Sequence, residues 1–428
     1  MNAVFLVIVL VAFLTTAWHQ IFDIPGPDGS AMASLSKAMI DSAAGSVELA
    51  LGLVGVMTLF LGLVKVVEAG GMMVVLARLI RPIMVRLFPQ VPADHPAMGA
   101  MILNVAANGL GLGNAATPFG IKAMKELNTL NSRPGTATDA MALFLAINTS
   151  NVTLLPTGVI ALRAAAGSMD PAGILPTTLF ATLCSTITAV IAARLYSWWA
   201  RGTSPPPIAG DAVSGENDSN LPEEGGDAGA YPAWISLLAV CVALSLIPLT
   251  IFYGRVVSPW IIPGLMMGFI GFGAIRRVRI YEVFVEGAKE GFQVAVKIIP
   301  YLVAILVAVG MFRASGALDA MVSVLGPLTG AVGLPAEALP MALLRPLSGS
   351  GAYGILASII NDPAIGPDSY TGFLVSTFQG STETTFYVLA VYFGAVQVRR
   401  VRHTMAAALT ADLAGITGAV AICLYLYG

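Results

Sequence analysis

Long apolar stretches, broken at a few points by polar residues, account for most of this 428-residue chain. A helix needs about 20 predominantly apolar residues to cross the hydrocarbon core of a bilayer. The pattern predicts about nine crossings, and therefore a multi-pass membrane protein made of helices. The apolar stretches lie near residues 4–18, 47–67, 137–162, 175–198, 234–252, 260–275, 294–311, 370–396 and 404–426.

The same order of motifs occurs twice, on either side of a polar segment. Residues 201–231 are rich in Pro, Gly, Ser, Asp and Glu, and this composition predicts a disordered acidic linker that cannot pack a core. Internal duplication explains the repeated motifs. The matched segments are 68–71 with 313–316, 91–93 with 334–336, 108–114 with 346–352, and 148–153 with 378–384.

These features divide the chain into five regions. Three full crossings in the first repeat and two more before the second make an odd number, so we expect the second repeat to enter the bilayer upside down. The regions are an N-terminal helix and connection (1–45), a first repeat (46–200), the linker (201–231), two connecting transmembrane helices (232–280) and a second repeat (281–428).

Each repeat contains a pair of apolar segments that are too short to cross. Between residues 94 and 127, two helices of about 13 residues flank a Gly/Asn turn, and neither spans about 30 Å at 1.5 Å per residue. The pattern predicts a re-entrant helical hairpin, and residues 336–361 repeat it. Irregular backbone at membrane depth must be buried in protein or line a cavity, so the tips should lie against other helices.

Polar residues also interrupt one long apolar stretch in each repeat, near residues 148–153 and 379–385. Such breaks are typical of discontinuous transmembrane helices that bind solutes or ions. The predicted fold is therefore an all-α integral membrane protein, an inverted repeat with two re-entrant helical hairpins and two broken transmembrane helices. Amphipathic stretches at 72–87 and 317–331 are expected to lie along the membrane surface.

Composition and charge support this class of protein. Only 11% of residues are charged and the mean hydropathy is +0.82, far from a soluble domain. A net charge of −2 without a dense basic patch argues against nucleic-acid binding. The three cysteines lie in apolar segments at spacings that suit neither a metal site nor a disulfide.

The basic residues predict the orientation, because Lys and Arg are retained on the cytoplasmic side of a membrane. If the first helix starts inside, 16 of the 22 Lys and Arg residues fall in inner segments and four in outer ones, while Lys297 and Arg345 remain within the membrane. This topology places the N-terminus and the linker in the cytoplasm.

The first helix break offers neutral oxygens. Such oxygens suit a hard monovalent cation such as Na⁺ if enough of them converge. The alternative is a Pro-kinked helix whose hydroxyls bond back to the preceding turn. The predicted ion-binding residues are Asn148, Thr149, Ser150 and Thr153.

Polar residues at both hairpin tips and both breaks are predicted to bind a polar organic solute. Glycines at positions 109, 111 and 113 would let the backbone approach it, although tight helix packing is the alternative for them. The predicted substrate-binding residues are Asn108, Asn114, Asn151, Arg345, Ser348, Ser350, Gln379, Ser381, Thr382 and Glu383.

Arg345 and Glu383 are charged residues of the second repeat that are expected within the membrane. Placing a charge at the bilayer centre is unfavourable by about 3 kcal/mol to over 10 kcal/mol. Arg345 is expected to hold an anionic or carbonyl group, and Glu383 to accept hydrogen bonds or exchange a proton. The alternative is an ion pair that only fixes the hairpin to the helix.

The remaining ionisable residues indicate no catalysis. Asp412 is either a proton site or the partner of Arg402 near the interface. Neither a nucleophile with its base nor a metal-binding cluster recurs, so we predict that the protein is not an enzyme and needs no cofactor beyond a coupling Na⁺ or H⁺.

These motifs resemble the nucleoside recognition, or Gate, domain family, and in particular a fusion of sequences like spore maturation proteins A and B. NGLGLGNAATPFGIKAMKELN at 108–128 is similar to the A type. RPLSGSGAYGI at 345–355, GPDSYTGFLVSTFQGSTETTFYVLAVYFGAV at 366–396 and VRHTMAAALTADLAGI at 401–416 are similar to the B type.

The resemblance implies an inner-membrane protein related to concentrative nucleoside transporters, which place two hairpins and two broken helices around a midplane site. The predicted function is cation-coupled secondary transport of a small polar solute, nucleoside-like or nucleobase-like by resemblance, within a homo-oligomer. The alternative is a non-transporting membrane scaffold or maturation factor.

Overall fold

The computed structural model describes residues 2–22, 30–111, 116–150, 152–199 and 231–428. These residues are helical apart from turns, loops and one isolated bridge between Thr136 and Arg400, which confirms the all-α prediction. Nearly all of the predicted linker, residues 201–230, lies outside the described residues.

Sixteen helices follow one another in the described part of the chain, and a single 3₁₀ turn (Ala336–Ala338) precedes the twelfth. Up to the linker they are α1 (Asn2–Phe22), α2 (Ala31–Ala69), α3 (Met72–Leu87), α4 (Pro96–Gly109), α5 (Thr117–Thr129), α6 (Asp139–Ser150), α7 (Thr157–Ala165) and α8 (Leu175–Trp199). After it they are α9 (Ala233–Ile275), α10 (Ile280–Ala314), α11 (Ala317–Gly330), α12 (Leu339–Leu344), α13 (Gly349–Ile360), α14 (Tyr370–Ser381), α15 (Thr385–Ala395) and α16 (Thr404–Tyr427).

The helices α2 to α8 and α10 to α16 are the two repeats. In each, α4–α5 or α12–α13 forms a hairpin, named hairpin 1 and hairpin 2 below. Residues 151–156 separate α6 from α7 and are the first break, and residues 382–384 separate α14 from α15 and are the second break.

Three described helices are long and apolar enough to cross a membrane alone, or up to five spans result if each bent helix pair counts as one. The predicted spans over 137–162 and 370–396 are absent from this count because each is split into two short helices.

Matched glycines produce the same bend in both repeats. Gly71 and Gly316 take left-handed conformations, with φ of 82° and 75°, at the start of α3 and α11. This region of φ is open to glycine but disfavoured for other residues. The bends measure 71° between α2 and α3 and 78° between α10 and α11. They turn the two amphipathic helices away from the long helices that precede them, as expected for helices along a surface.

Equivalent helices of the two repeats run antiparallel, which confirms the inverted repeat. In the pair α2 and α10, Gly62 lies against Phe284, whereas Gly310 lies against Ser42. In the pair α8 and α16, Ser185 donates a hydrogen bond to the Ala411 carbonyl at 2.8 Å, and farther along Tyr427 donates to the Gly173 carbonyl at 2.9 Å. Residue numbers therefore rise in one partner as they fall in the other.

Each hairpin shares its core with a helix of the other repeat. Met98 and Met124 of hairpin 1 pack in one cluster with Phe393 of α15. Ile355 of hairpin 2 packs in a second cluster with Ile160 of α7. The structural units therefore cross the boundary between the two sequence repeats.

Two helices run past the limits that the sequence suggests. The boundary at residue 45 falls inside α2, which begins at Ala31 because Ser30 caps it by accepting a hydrogen bond from the Ala33 N–H at 3.2 Å. The two helices predicted within 232–280 form one helical element, α9.

Both ends of α9 nevertheless lie beside the corner between α2 and α3. The Tyr231 N–H donates to the Arg78 carbonyl at 3.4 Å, and Arg276 donates to the Gly70 carbonyl at 2.8 Å. A straight helix of this length would separate its ends by about 64 Å. The element therefore bends strongly within its length and returns to the side from which it starts.

Candidate functional site

The two helix breaks meet at the centre of the molecule. The Glu383 N–H, in the second break, donates to the Thr149 carbonyl, at the end of α6, at 2.8 Å. Four helix ends and two hairpin tips therefore converge on one small polar region. The described polar residues around it, from Asn148 to Ser150 and from Gln379 to Thr385, are buried except for the Glu383 side chain.

The tip of hairpin 1 packs its backbone directly on the first break. The Leu154 N–H donates to the Gly109 carbonyl at 3.1 Å. Gly111 has φ of 73°, and a Cβ there would lie 2.3 Å from the Leu155 carbonyl oxygen. Gly111 thus serves close packing, which was the alternative to ligand contact, whereas a Cβ at Gly109 would meet no atom closer than 3.8 Å. Residues 112–115, which include Gly113 and Asn114, lie outside the described residues.

The tip of hairpin 2 is fixed to the second break by a buried arginine. Arg345 is 5% exposed and donates to the Thr382 carbonyl and, at 3.1 Å, to the Thr384 hydroxyl. The Phe386 N–H adds a bond to the Pro346 carbonyl at 3.1 Å. The guanidinium therefore supplies donors to a break whose carbonyls have lost their helical partners.

The predicted contact between Arg345 and Glu383 is present but loose. The closest nitrogen–oxygen distance is 3.8 Å, too long for a hydrogen bond, and the Glu383 side chain is 42% exposed. Arg345 fixes the hairpin mainly through Thr382 and Thr384, and not through the ion pair with Glu383 that the alternative supposed. The Glu383 carboxylate is left open to other partners.

Asparagines and a tyrosine link hairpin 1 to both broken helices. Asn148 donates to the Phe144 carbonyl at 2.9 Å and accepts a hydrogen bond from Asn108 at 3.1 Å. The Tyr392 hydroxyl lies 3.4 Å from the Asn148 side-chain oxygen and 3.2 Å from the Asn104 amide nitrogen. Tyr392 belongs to α15, so this network joins the two repeats.

Asn104 and Tyr392 are functional candidates that the sequence pattern did not predict. An amide inside the apolar helix α4 was the one available signal for Asn104, because a polar group at that depth needs a partner. Nothing in the pattern around Tyr392 distinguished it from a packing aromatic.

The hydroxyls of the first break bond back to their own helix. Thr149 donates to the Ala146 carbonyl at 3.0 Å, and Ser150 donates to the same carbonyl at 2.9 Å. Their side chains therefore follow the alternative prediction, in which the hydroxyls of a kinked helix bond back to the preceding turn. Thr153 is half-buried, and Asn151 lies outside the described residues.

The remaining predicted substrate-binding residues differ in whether their side chains have hydrogen-bond partners within the protein. The Ser348 hydroxyl caps α13 by accepting the Gly351 N–H at 3.0 Å, and Ser350, two residues further on, is half-buried. Ser381 makes a long bond of 3.4 Å to the Phe378 carbonyl. The Gln379 side-chain oxygen is buried and has no hydrogen-bond partner among the described residues. Gln379 is therefore the residue of this group that most needs a ligand or a water.

The alternative that Asp412 pairs with Arg402 is wrong. Asp412 accepts a hydrogen bond of 2.6 Å from the Thr385 hydroxyl, whereas Arg402 donates to Asp139 at 2.7 Å. Eight helical residues separate the start of α16 from Asp412, a rise of about 12 Å that carries the carboxyl away from the interface and up to the second break.

Two arginine–aspartate pairs join the repeats at their outer ends. Arg402 binds Asp139, the first residue of α6. Arg163, at the end of α7, binds Asp368, just before α14, at 2.9 Å. Arg163 is fully buried and lies 4.2 Å from the centre of the Phe373 ring. Among the described residues, no group of three or more His, Cys, Asp or Glu side chains is placed to hold a metal ion.

Comparison with known proteins yields one family match and several relatives. A family model described as nucleoside recognition, or Gate, matches residues 50–166 and 295–399, together about half of the chain. Spore maturation protein B of Bacillus subtilis is 47% identical over 167 residues, which cover 39% of this chain and 93% of that protein. Spore maturation protein A of the same organism is 42% identical over 165 residues, or 39% of this chain and 84% of that protein.

Two more distant similarities involve a membrane protein and a solved structure. The inner membrane protein YjiG of Escherichia coli is 30% identical over 90 residues, which cover 21% of this chain and 59% of that protein. An outward-facing structure of a doubly substituted CNTnw aligns with 98% of this chain and 91% of its own, at 14% identity and a TM-score of 0.46.

Proposed function

This chain belongs to the nucleoside recognition (Gate) family, and we propose that it is a cation-coupled secondary transporter of a small polar solute, with a nucleoside or nucleobase as the first candidate. The proposal depends on one observation. Two helix breaks, each backed by a hairpin tip, meet at a buried polar centre where the Glu383 carboxylate remains accessible and the Gln379 oxygen unpaired among the described residues. Broken helices that meet in this way are typical of secondary transporters.

The solute is proposed to lie against the second break. Glu383 would accept hydrogen bonds from its hydroxyl or N–H groups, and Gln379 would offer both a donor and an acceptor. Arg345, Ser348, Ser350, Ser381 and Thr382 would shape this side of the site, and Asn108, Asn114 and Asn151 would complete it from the first repeat.

The coupling cation is proposed to bind at the first break, among Asn148, Thr149, Ser150 and Thr153. The Thr149 carbonyl already accepts the Glu383 N–H, and the Ser150 carbonyl accepts the Thr186 hydroxyl at 3.0 Å. Each carbonyl oxygen keeps a second lone pair that a cation can use. The hydrogen bond from Glu383 to Thr149 would couple the two breaks, so that a cation bound at the first break would affect the solute site at the second.

We further propose a bacterial inner-membrane location, with the N-terminus and the linker in the cytoplasm, and a homo-oligomer in which the hairpin units move past the remaining helices. The bias of Lys and Arg towards the inner segments supports this orientation. Single cysteines introduced into the linker test this orientation. A label that cannot cross the membrane should react with them only after the membrane is opened.

A non-transporting scaffold is the second candidate, and one observation favours it. Arg345 donates hydrogen bonds to Thr382 and Thr384 of the protein itself. Packing alone therefore explains part of the polar centre. The names of two relatives, spore maturation proteins A and B, are also compatible with this function.

Uptake by reconstituted protein separates the two. Proteoliposomes are incubated in medium that contains radiolabelled uridine, adenine or one of a panel of other small polar solutes, with an inward Na⁺ gradient, an inward H⁺ gradient or none. We expect at least one solute to accumulate only with a gradient. Absence of gradient-driven flux for every solute would favour the scaffold.

Two substitutions then test the site. Glu383→Gln and Asn148→Ala should each lower uptake at least about tenfold, because each removes a group that would hydrogen-bond to a charged or polar ligand. Glu337→Gln is the matched control, since Glu337 lies at the outer end of hairpin 2 and should leave uptake unchanged. Unchanged binding and flux in both site variants would refute the site assignment.

A further inference from the structure

One buried ionisable group near the two breaks has no role in the site described above. Asp412 lies on α16 and is 3% exposed. One carboxyl oxygen accepts the hydrogen bond from Thr385, and the other has no partner among the described residues. A buried carboxylate with an unpaired oxygen is unfavourable, because it has lost water without gaining a full set of donors.

Adding a proton removes this conflict. The protonated carboxyl carries no charge, and its hydroxyl can donate while the other oxygen still accepts from Thr385. A sodium ion would need several more oxygen ligands, and the described hydrogen bonds bring only the Thr385 hydroxyl to this carboxyl. The surroundings of Asp412 therefore suit a proton better than a metal cation.

The ionisable groups around Asp412 come from the second break, from the tip of hairpin 2 and from the helices packed against α16. Arg345, at the tip of hairpin 2, is bonded to Thr382 and Thr384 of the break, and Thr385, which directly follows them, is bonded to Asp412. The other ionisable residues on elements packed against α16 are Cys184, Arg194 and Tyr196 on α8, Asp139 on α6, Tyr370 on α14, Glu383 in the break, and Tyr387 and Tyr392 on α15.

Thr385 connects the carboxyl to the solute site. It is the first residue of α15 and directly follows the break that contains Glu383. Deprotonated Asp412 would hold the start of α15 through Thr385 and attract Arg345, whereas protonated Asp412 would release that attraction. The charge on Asp412 can thus act on both anchors of the second break.

We propose that Asp412 is a proton-binding site that couples proton movement to the second break, separate from the cation site at the first break. This inference rests on the proposed transport function. The proton adds to the free carboxyl oxygen on the side of high proton concentration and leaves from the same oxygen on the other side, so only an O–H bond forms and breaks.

The first test measures proton binding without transport. Infrared difference spectra of purified protein, recorded across a pH series, should show a protonated-carboxyl band that is lost in Asp412→Asn. The matched control is Asp319→Asn, on the surface helix α11, which should keep the band. An identical band in Asp412→Asn and wild type would overturn the inference whether or not the protein transports anything.

The second test uses uridine in proteoliposomes, or whichever solute of the panel the wild type accumulates. Asp412→Asn should lose accumulation driven by an H⁺ gradient but keep gradient-free exchange of labelled for unlabelled solute, and Asp412→Glu should restore part of the accumulation. Proton-driven accumulation that persists in Asp412→Asn would sink the inference and leave the transport proposal standing. A wild type that exchanges no solute would contradict the transport proposal, and the infrared result would then decide on Asp412 alone.

Discussion

The two helix breaks have the same architecture but different chemistry. At the first, hairpin 1 is joined to the broken helix by backbone contacts and by the neutral pair Asn108 and Asn148. At the second, hairpin 2 is joined by the guanidinium of Arg345, with the Glu383 carboxylate close by. Duplication therefore preserved the fold, while the two sites diverged into a neutral one and a charged one.

This divergence suggests a division of labour. Neutral amide and carbonyl oxygens suit a cation, whereas a guanidinium and an accessible carboxylate suit an organic solute with several hydrogen-bonding groups. Four experiments, one of them the Glu383 and Asn148 comparison described above, test whether the two breaks really differ in this way.

Removing the arginine should have the largest effect on stability. Arg345→Met leaves the Thr382 carbonyl and the Thr384 hydroxyl buried without their donor, so we expect a loss of about 2–4 kcal/mol in the free energy of unfolding and a loss of uptake. Thermal unfolding in detergent measures the first quantity. Arg313→Ala is the control, because Arg313 is 40% exposed in its pair with Asp362 and should cost at most about 1 kcal/mol. Equal losses in the two variants would mean that the second break is not held by Arg345.

The backbone contact of the first break should give the next largest effect. Gly111→Ala combines about 1–2 kcal/mol of left-handed strain with a clash against the Leu155 carbonyl. Gly167→Ala isolates the strain, since Gly167 has φ of 77° and no atom near its missing Cβ. Gly111→Ala should therefore destabilise the protein more than Gly167→Ala. If the two are equal, hairpin 1 does not pack tightly on the break.

The smallest expected effect concerns the link between the repeats. Tyr392→Phe removes the hydroxyl that lies between Asn104 and Asn148, and should cost about 1 kcal/mol. Tyr387→Phe, five residues earlier on the exposed face of the same helix, should change stability very little. If Tyr392→Phe is no less stable than Tyr387→Phe, the network through Tyr392 contributes nothing to stability.

Much of the architecture was predictable from local patterns. Hydrophobic length identified both hairpins as too short to cross, and paired polar motifs located both breaks. The matched segments 68–71 and 313–316 were predicted only as repeats, and the structure shows that the glycine ending each one has the left-handed backbone at which the chain bends.

Other features depended on contacts between distant segments. The partners of Asp412 and Arg402 could not be deduced from their separation along the chain, because Thr385 and Asp139 reach them from other elements. The buried pair of Arg163 and Asp368 was missed for the same reason, since Arg163 reads as an outer loop residue in sequence. The apolar runs 234–252 and 260–275 predicted two helices, whereas the structure has one helical element, α9. Periodicity alone does not show whether the proline-containing junction between the runs ends a helix.

The exchange of core partners between repeats has a consequence for the chain as a whole. Since hairpin 1 completes its interior with α15, and hairpin 2 with α7, each half alone would leave part of its hairpin's apolar surface uncovered. A protease cut in the linker should yield two fragments that remain bound and purify as a pair. Expressed singly, each fragment should aggregate or be degraded, and co-expression should rescue both.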